Sequence, residues 1–473
     1  MPSRSSLFLA FSLAAATFFL PPALAPAAAA EGDLDVGFAG DGSTYWEILN
    51  GFFVSDVATT AVVPGDQELF LVATRTSTED HLAFRAYGSD GETIDELSCQ
   101  ETTGQVFPFG VSSRGLAAGL SDSGQLLVAG AIAFQGSAAT ERPFIARFDR
   151  AAGGCALDTD FSSSGYAFFD DFSFCDTESC SVLGLAQIRR PTLAVTATRI
   201  ILLVRSEVSG PKGRLFLVGL TADGAVDNGF DGNGVLEILA AGTDGFFGEA
   251  HLALDARGRI YVLATPFKEG GVTDTDLFLF RYLPAGGLDN GFSGDGVLPL
   301  VEANSTDSTA DDLTLASDGT VLVSGGTIGG SISFVRAVSA NGVAGATLVE
   351  SLLPAQVATQ GNGLMVTNAE FLPEGGDGMR SRRRQFATTG SFPLDPSWGT
   401  AGTADHDFDY DPGSIEGDQP QHLELWGGRP VVVGRATNAT RDISFAVRLE
   451  SGYLFVDGFE QGRATLWSAV ATP

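Results

Sequence analysis

The sequence predicts an all-β protein: a closed ring of four-stranded antiparallel sheets, seven by the simplest count. Three observations predict it. A phrase of the form Leu-Asp-x-x-Phe, followed by glycine-rich turns, returns about every 60 residues. A β-turn running into a short apolar strand sits inside the intervals. An alternating strand carrying one arginine comes next. One such sheet cannot bury both faces, whereas sheets packed radially in a ring can, and closure hides their edges.

The chain opens on a stretch that reads as a secretory leader, residues 1–30. Arg4 supplies a positive start, and Leu7 to Leu20 is apolar apart from Ser12 and Thr17. Pro21 and Pro22 then break any helix, and small residues lead to Glu31. Nothing later approaches the ~18 apolar residues of a membrane span. The reading is therefore a soluble exported protein, secreted, periplasmic or on the surface of a bacterium, with residues 31–452 forming the ring. With a formal charge of −31 the surface repels phosphate backbones, which excludes nucleic acid as a partner.

The first phrase reads Leu34-Asp35-Val36-Gly37-Phe38. It returns at Leu157-Asp158-Thr159-Asp160-Phe161, Val226-Asp227-Asn228-Gly229-Phe230, Leu288-Asp289-Asn290-Gly291-Phe292 and Leu394-Asp395-Pro396-Ser397-Trp398. Ile94-Asp95-Glu96-Leu97 is a weaker copy, and a start near Val343 has lost the Asp. The short chemistry of these residues accounts for them: Asp caps turn N–H groups, Phe plugs a core and Gly takes positive φ. The hairpin phrase is found at 122–130, 255–262, 318–325 and 426–434. The strand arginines are Arg85, Arg147, Arg281, Arg336 and Arg448, with Arg384 at the matching place in the sixth unit. In the third unit that place falls on Gly219. Each arginine is expected along a blade face, paired with a turn Asp. The unit 226–287 serves as template, with strands at 234–239, 251–255, 259–264 and 276–282. Taking 473 − 30 = 443 residues, seven β-propeller blades would hold about 63 each; six or eight blades also fit.

Together these phrases resemble the delta-60 repeat family of bacterial exported proteins, over residues 34 to about 448. The match is weakest in the sixth unit. The resemblance implies a β-propeller-like architecture and export. It implies no catalytic residue.

Four cysteines in an exported chain suggest two disulfides. Cys175 and Cys180 bracket a four-residue polar loop and are paired on that ground, which leaves Cys99 for Cys155. No His-Glu-x-x-His, Gly-x-Ser-x-Gly or P-loop occurs, and His81, His251, His406 and His422 are scattered. The basic run Arg380 to Arg384 is read as making intramolecular ion pairs, or as a contact for an anionic glycan or lipid head group.

One segment stands out as a metal candidate. Asp405, Asp407, Asp409 and Asp411 alternate along the chain, with Glu416 beyond them, a spacing of hard oxygens suited to Ca²⁺. Tyr410 stands where an EF-hand needs glycine. The alternative is a solvated face on the first strand of the seventh blade, with His406, Phe408 and Tyr410 inward. Residues 453–473 form a tail, read as a ring-closing or sorting element.

The function expected from this is a non-enzymatic exported propeller, a monomer that binds a protein or glycan at the cell envelope. The alternative is an enzyme of lyase, lactonase or glycosidase type with its site in the central channel. Such a site draws residues from several blades and leaves no motif. The two differ in what lines the channel: converging Asp, Glu and His for an enzyme, small and apolar residues for a scaffold.

Overall fold

The computed structural model describes residues 33–46, 53–62, 68–76, 80–100, 110–134, 141–169, 193–209, 212–239, 247–266, 277–300, 308–327, 333–350, 356–360, 363–371, 377–385, 392–406, 417–426, 429–437 and 442–450. They fold into a β-propeller of seven four-stranded antiparallel blades. Strands A to D run from the centre of the ring outwards. The first blade holds Phe53–Val62, Glu68–Thr76, Asp80–Gly88 and Cys99–Gln100. The second holds Gly110–Leu120, Leu126–Phe134, Glu141–Phe148 and Tyr166–Phe168. The third holds Leu193–Val195, Arg199–Ser209, Lys212–Thr221 and Val235–Glu237. The fourth holds Phe247–Leu254, Ile260–Pro266, Leu277–Leu283 and Val297–Leu300, with Gly286–Leu288 as a short extra strand before the last.

The fifth blade holds Ser308–Leu315, Val321–Thr327, Ser333–Val338 and Ala344–Glu350. The sixth holds Gln356–Gln360, Gly363–Phe371, Asp377–Gln385 and Thr403–His406. The seventh takes Gly417–Trp426, Arg429–Thr437 and Asp442–Arg448, and borrows its strand D, Ser43–Trp46, from the start of the ring. That strand pairs antiparallel with Asp442–Arg448, Ser43 opposite Val447. Single bridging pairs, Gly213 with Phe247 and Asp377 with Gly417, join the third blade to the fourth and the sixth to the seventh. Seven apolar clusters fill the seams, each contributed by two adjacent blades.

The borrowed strand explains one difference from the sequence reading. The Leu-Asp-x-x-Phe turn joins strands C and D, so the first strand of each repeat belongs to the preceding blade. In the template, Val235–Glu237 pairs with the third blade, and the three strands after it build the fourth. For the same reason the segment at Asp405 is strand D of the sixth blade, not the first strand of the seventh. Repetition fixes a period but not a phase. The pairing of the chain's two ends fixes the phase.

The repeat residues build one clamp at five of the seven seams. In the second blade the Asp158 Oδ1 accepts the Asp160 N–H at 3.1 Å, closing the turn. Its Oδ2 accepts the Arg147 Nε–H at 2.7 Å. Arg147 lies 4.9 Å over the buried Phe161 ring, and its Nη1 donates to the Ala222 carbonyl of the next blade at 3.0 Å. Arg281, Asp289 and Phe292 repeat this toward the fifth blade, and Arg448, Asp35 and Phe38 toward the first. The next blade's turn meets the aromatic with a glycine. At Gly224, φ is +84° and a Cβ would lie 2.6 Å from the Phe161 ring.

At two of the five seams the clamp arginine is not at the place read from the repeat. In the third blade Arg199, at the start of strand B, reaches Asp227 and Phe230 in place of an arginine at 219. A side chain at Gly219 would strike Phe230 at 2.6 Å. In the sixth blade the clamp is Arg383 rather than Arg384: its Nε donates to Asp395 at 2.9 Å, and it lies 5.2 Å over Trp398. Arg384 faces the other seam and donates from Nη1 to the Phe392 carbonyl at 2.7 Å. A one-residue step along a strand reverses the face. Arg383→Ala should therefore lower stability by about 3 kcal/mol, for it strips a partner from a buried pair. Arg384→Ala should cost about 1 kcal/mol, one hydrogen bond. Thermal melts of the two variants check the order.

Candidate functional site

The turns that join strands A to B and C to D are engaged in holding the ring. The remaining candidate is the central wall, built from the A strands, which lie against one another around the ring. In the first, second, fifth and seventh blades this strand carries an extra residue at the same level, Ala58, Leu116, Asp311 and Gln421, and in the first and second it carries another nearer its start, Ser55 and Val111. In the fourth blade the irregularity falls one step earlier in the strand, between Phe247 and Ala250. Such bulges bend a strand and re-aim its side chains, and they concentrate beside functional sites.

Among the described residues the wall is polar from the fourth to the seventh blade. Strand A of the fourth blade brings Glu249 and His251, and that of the fifth brings Asp311 and Asp312. Gln356 comes from the sixth, and Gln421, His422 and Glu424 from the seventh. Much of this polarity holds neighbouring backbone. His251 Nε2 lies 3.2 Å from the Ala310 carbonyl, and Ala310 N–H donates to Thr265 Oγ1 at 2.9 Å. Asp312 accepts the Val357 N–H at 2.9 Å on one oxygen and the Leu313 N–H at 2.8 Å on the other. Gln356 Nε2 donates to the Pro420 carbonyl at 3.4 Å. On the other side of the ring the buried Ser113 Oγ accepts the Leu82 N–H at 3.0 Å. These bonds satisfy groups that would otherwise be buried without partners.

One pair is different in kind. His422 Nε2 lies 3.3 Å from Glu424 Oε2, and the carboxylate side chain is 41% exposed. A histidine against an open carboxylate has the chemistry of a proton-transfer couple. No group of three His, Cys, Asp or Glu side chains among the described residues is placed to hold a metal ion.

The residues singled out in the sequence are placed as follows. Asp405 is on strand D of the sixth blade, bound in a two-pronged ion pair by Arg380, whose Nη2 donates to Oδ2 at 2.7 Å. His406 beside it is buried, as alternation requires. Asp407, Asp409 and Asp411 lie outside the described residues, as do the leader, the tail and the Cys175–Cys180 pair. Cys99 and Cys155 are joined in a disulfide with Cα atoms 4.8 Å apart. The basic run is paired internally: Arg380 with Asp405, Arg383 with Asp395, and Arg384 with the Phe392 carbonyl.

The wall residues themselves were not singled out by the sequence reading, apart from the histidines. The available signal was a charged pair, Asp311-Asp312, inside an apolar strand.

No protein-family model matches the sequence, and no curated protein matches it. Solved structures do match in fold. An ulvan lyase of polysaccharide lyase family PL25 aligns with a TM-score of 0.53 at 9% identity, over 86% of this chain and 96% of that one. The same enzyme bound to -[GlcA(1-4)Rha3S]- aligns at 0.52 and 8%, over the same shares of the two chains, 86% and 96%. The periplasmic gluconolactonase of Pseudomonas aeruginosa aligns at 0.42 and 12% identity, over 73% and 86%. At these identities the likeness is one of fold. The chain is a β-propeller protein.

Proposed function

We propose that this protein is an exported β-propeller that binds a protein or glycan of the cell envelope and leaves it unchanged. One observation carries the reading. The buried His251, Asp312 and Gln356 of the central wall are tied to the backbone of the neighbouring blade, as parts of a scaffold are. The experiment is a binding titration of the full exported chain against a panel of envelope proteins and soluble polysaccharides, uronate-containing and sulfated ones included. Saturable binding with the ligand recovered intact supports the proposal. No binding across the panel, or a ligand recovered in pieces, defeats it.

A second reading is favoured by the His422–Glu424 pair on a propeller fold shared with a polysaccharide lyase. In that reading the two side chains move a proton at the channel. It requires that His422→Gln abolish any depolymerisation found.

We also propose calcium at Asp405, Asp407, Asp409 and Asp411, where Arg380 competes for the first of these carboxylates. A bound ion would raise stability by about 2.7 kcal/mol at a hundredfold excess over Kd. The expected result is a melting point that rises in millimolar CaCl₂ above a NaCl control of matched ionic strength. Equal melts in the two salts would leave the four carboxylates as a solvated face. N-terminal sequencing of the exported protein should begin close to Glu31.

A further inference from the structure

Among the described residues, two of the seven seams lack the arginine clamp. The clamp position on strand C is Ala86 in the first blade, opposite Phe70, and Ala337 in the fifth, opposite Leu322. Arg85 and Arg336, the arginines expected there, stand one residue away and so face the preceding seam. Arg85 lies 5.4 Å over Trp46, on the seventh-blade side.

The first of these two seams is held differently. Cys99 is on strand D of the first blade, and Cys155 is in the turn between strands C and D of the second. Their disulfide crosses the seam where the clamp is missing. Beside it the Gly154 N–H donates to the Glu96 carbonyl. Arg150 of the second blade reaches back to pair with Glu68 and lies 5.9 Å over the Phe70 ring. Close to the bridge, a small space of about 10 Å³ is lined by Phe70, Phe84, Leu97, Leu126 and Phe148, with Asp149, Arg150 and Gly154 at its edge.

We propose that the Cys99–Cys155 disulfide stands in for the absent arginine clamp and makes the seam between the first and second blades a redox-sensitive latch. A dithiol reductant attacks the Cys155 sulfur, the more exposed of the two, as Cys99 is buried. The S–S bond breaks, and the Cys99 sulfur leaves as thiolate and takes a proton. The second thiol of the reductant then displaces the Cys155 sulfur, which takes the other proton, and the reductant departs as its own disulfide. Two electrons and two protons have passed to the protein. The other clamped seams hold no disulfide among the described residues and keep their arginines. The reduced chain therefore opens at this seam and uncovers the apolar side chains packed between the two blades, Phe70, Phe84, Leu126 and Phe148 among them.

Hydrogen exchange of the native full chain, with and without a dithiol reductant, tests this. Amides in 83–100 and 144–157 should exchange at least about tenfold faster after reduction, as expected of a local opening. The Arg147, Arg199 and Arg281 seams should not change, and binding of an apolar dye should rise with the exchange. A Cys175→Ser/Cys180→Ser variant must keep the response, and a Cys99→Ser/Cys155→Ser variant must show the fast exchange without reductant. Unchanged exchange in 83–100 and 144–157, an increase spread over all seams, or loss of the response in the Cys175/Cys180 variant would overturn the proposal. Should the Cys99/Cys155 variant fail to fold, the reductant arm on native protein still decides.

Discussion

Arg448→Ala is expected to lower stability by about 3–5 kcal/mol, the cost of leaving a buried partner uncompensated. For a chain of this length that is a fall of about 5 °C in melting temperature. The reason lies in how the ring closes. Asp35 is 1% exposed and accepts hydrogen bonds from Arg448 and Arg429 at once. Its N–H donates to the Arg448 carbonyl at 2.9 Å, so side chain and backbone together fasten the two ends of the ring. Arg448 also lies 4.9 Å over Phe38 and 5.3 Å over Trp426, and donates to the Ser89 carbonyl of the first blade at 2.6 Å. Removing it loosens the closing strand and the first seam together. Asp35→Asn should lower stability as well, because it keeps the shape and removes the charge.

The same residues set a dependence on pH. Burial alone would push the Asp35 carboxyl up, but Arg448, Arg429 and the Gly37 N–H outweigh it and hold it below its ordinary value. At Asp158 and Asp395 burial again opposes, and the turn N–H and the clamp arginine prevail. At Asp227 the Gly229 N–H and Arg199 lower it. A carboxyl depressed in the folded state adds stability that is complete above its unfolded value, about 3.9, and is lost as pH falls through the folded value. Melts taken from pH 5 downward should therefore steepen below about pH 4. In the Asp35→Asn variant that acid limb should be shallower.

The second large effect is Phe292→Ala, expected to cost about 3–5 kcal/mol. Phe292 is fully buried, meets Tyr261 edge-on at 6.1 Å and carries Arg281 at 4.8 Å above its ring. On the far side a Cβ at Gly342 would lie 3.0 Å from the ring, so the next blade is already in contact. Truncation leaves a cavity between two blades, and neither can move in without breaking its own pairing. Val343→Ala, at a position 65% exposed, should change stability by under about 0.5 kcal/mol. Denaturation of the two variants side by side checks the contrast.

The parts of the fold that were legible in the sequence are those enforced locally. Asp158, Asp227 and Asp289 each cap the N–H two residues on, whatever surrounds them. Phe161, Phe230 and Phe292 each fill the same socket. Hence the repeat announced both the turns and the blades.

What depended on distant pairing was not legible. The phase of the repeat rests on Ser43–Trp46 meeting Asp442–Arg448 across most of the chain. Arg85 and Arg336 look like Arg147 by phrase, yet pair one position out of register and face the other way. Arg199 takes over a role from a different strand, which no alignment of strand C could reveal. The central wall is assembled from single residues on strands roughly 60 residues apart, so it carries no contiguous motif.

The most direct test of the proposed function is to follow a polysaccharide ligand through binding and release. The full chain is titrated with uronate-containing and sulfated polysaccharides, and the polymer's size distribution is measured before and after. The account predicts saturable binding to at least one polymer or to an envelope protein, with the polymer's length unchanged and no dependence on His422. Shortening of the polymer that His422→Gln abolishes would contradict it and place a catalytic site in the channel.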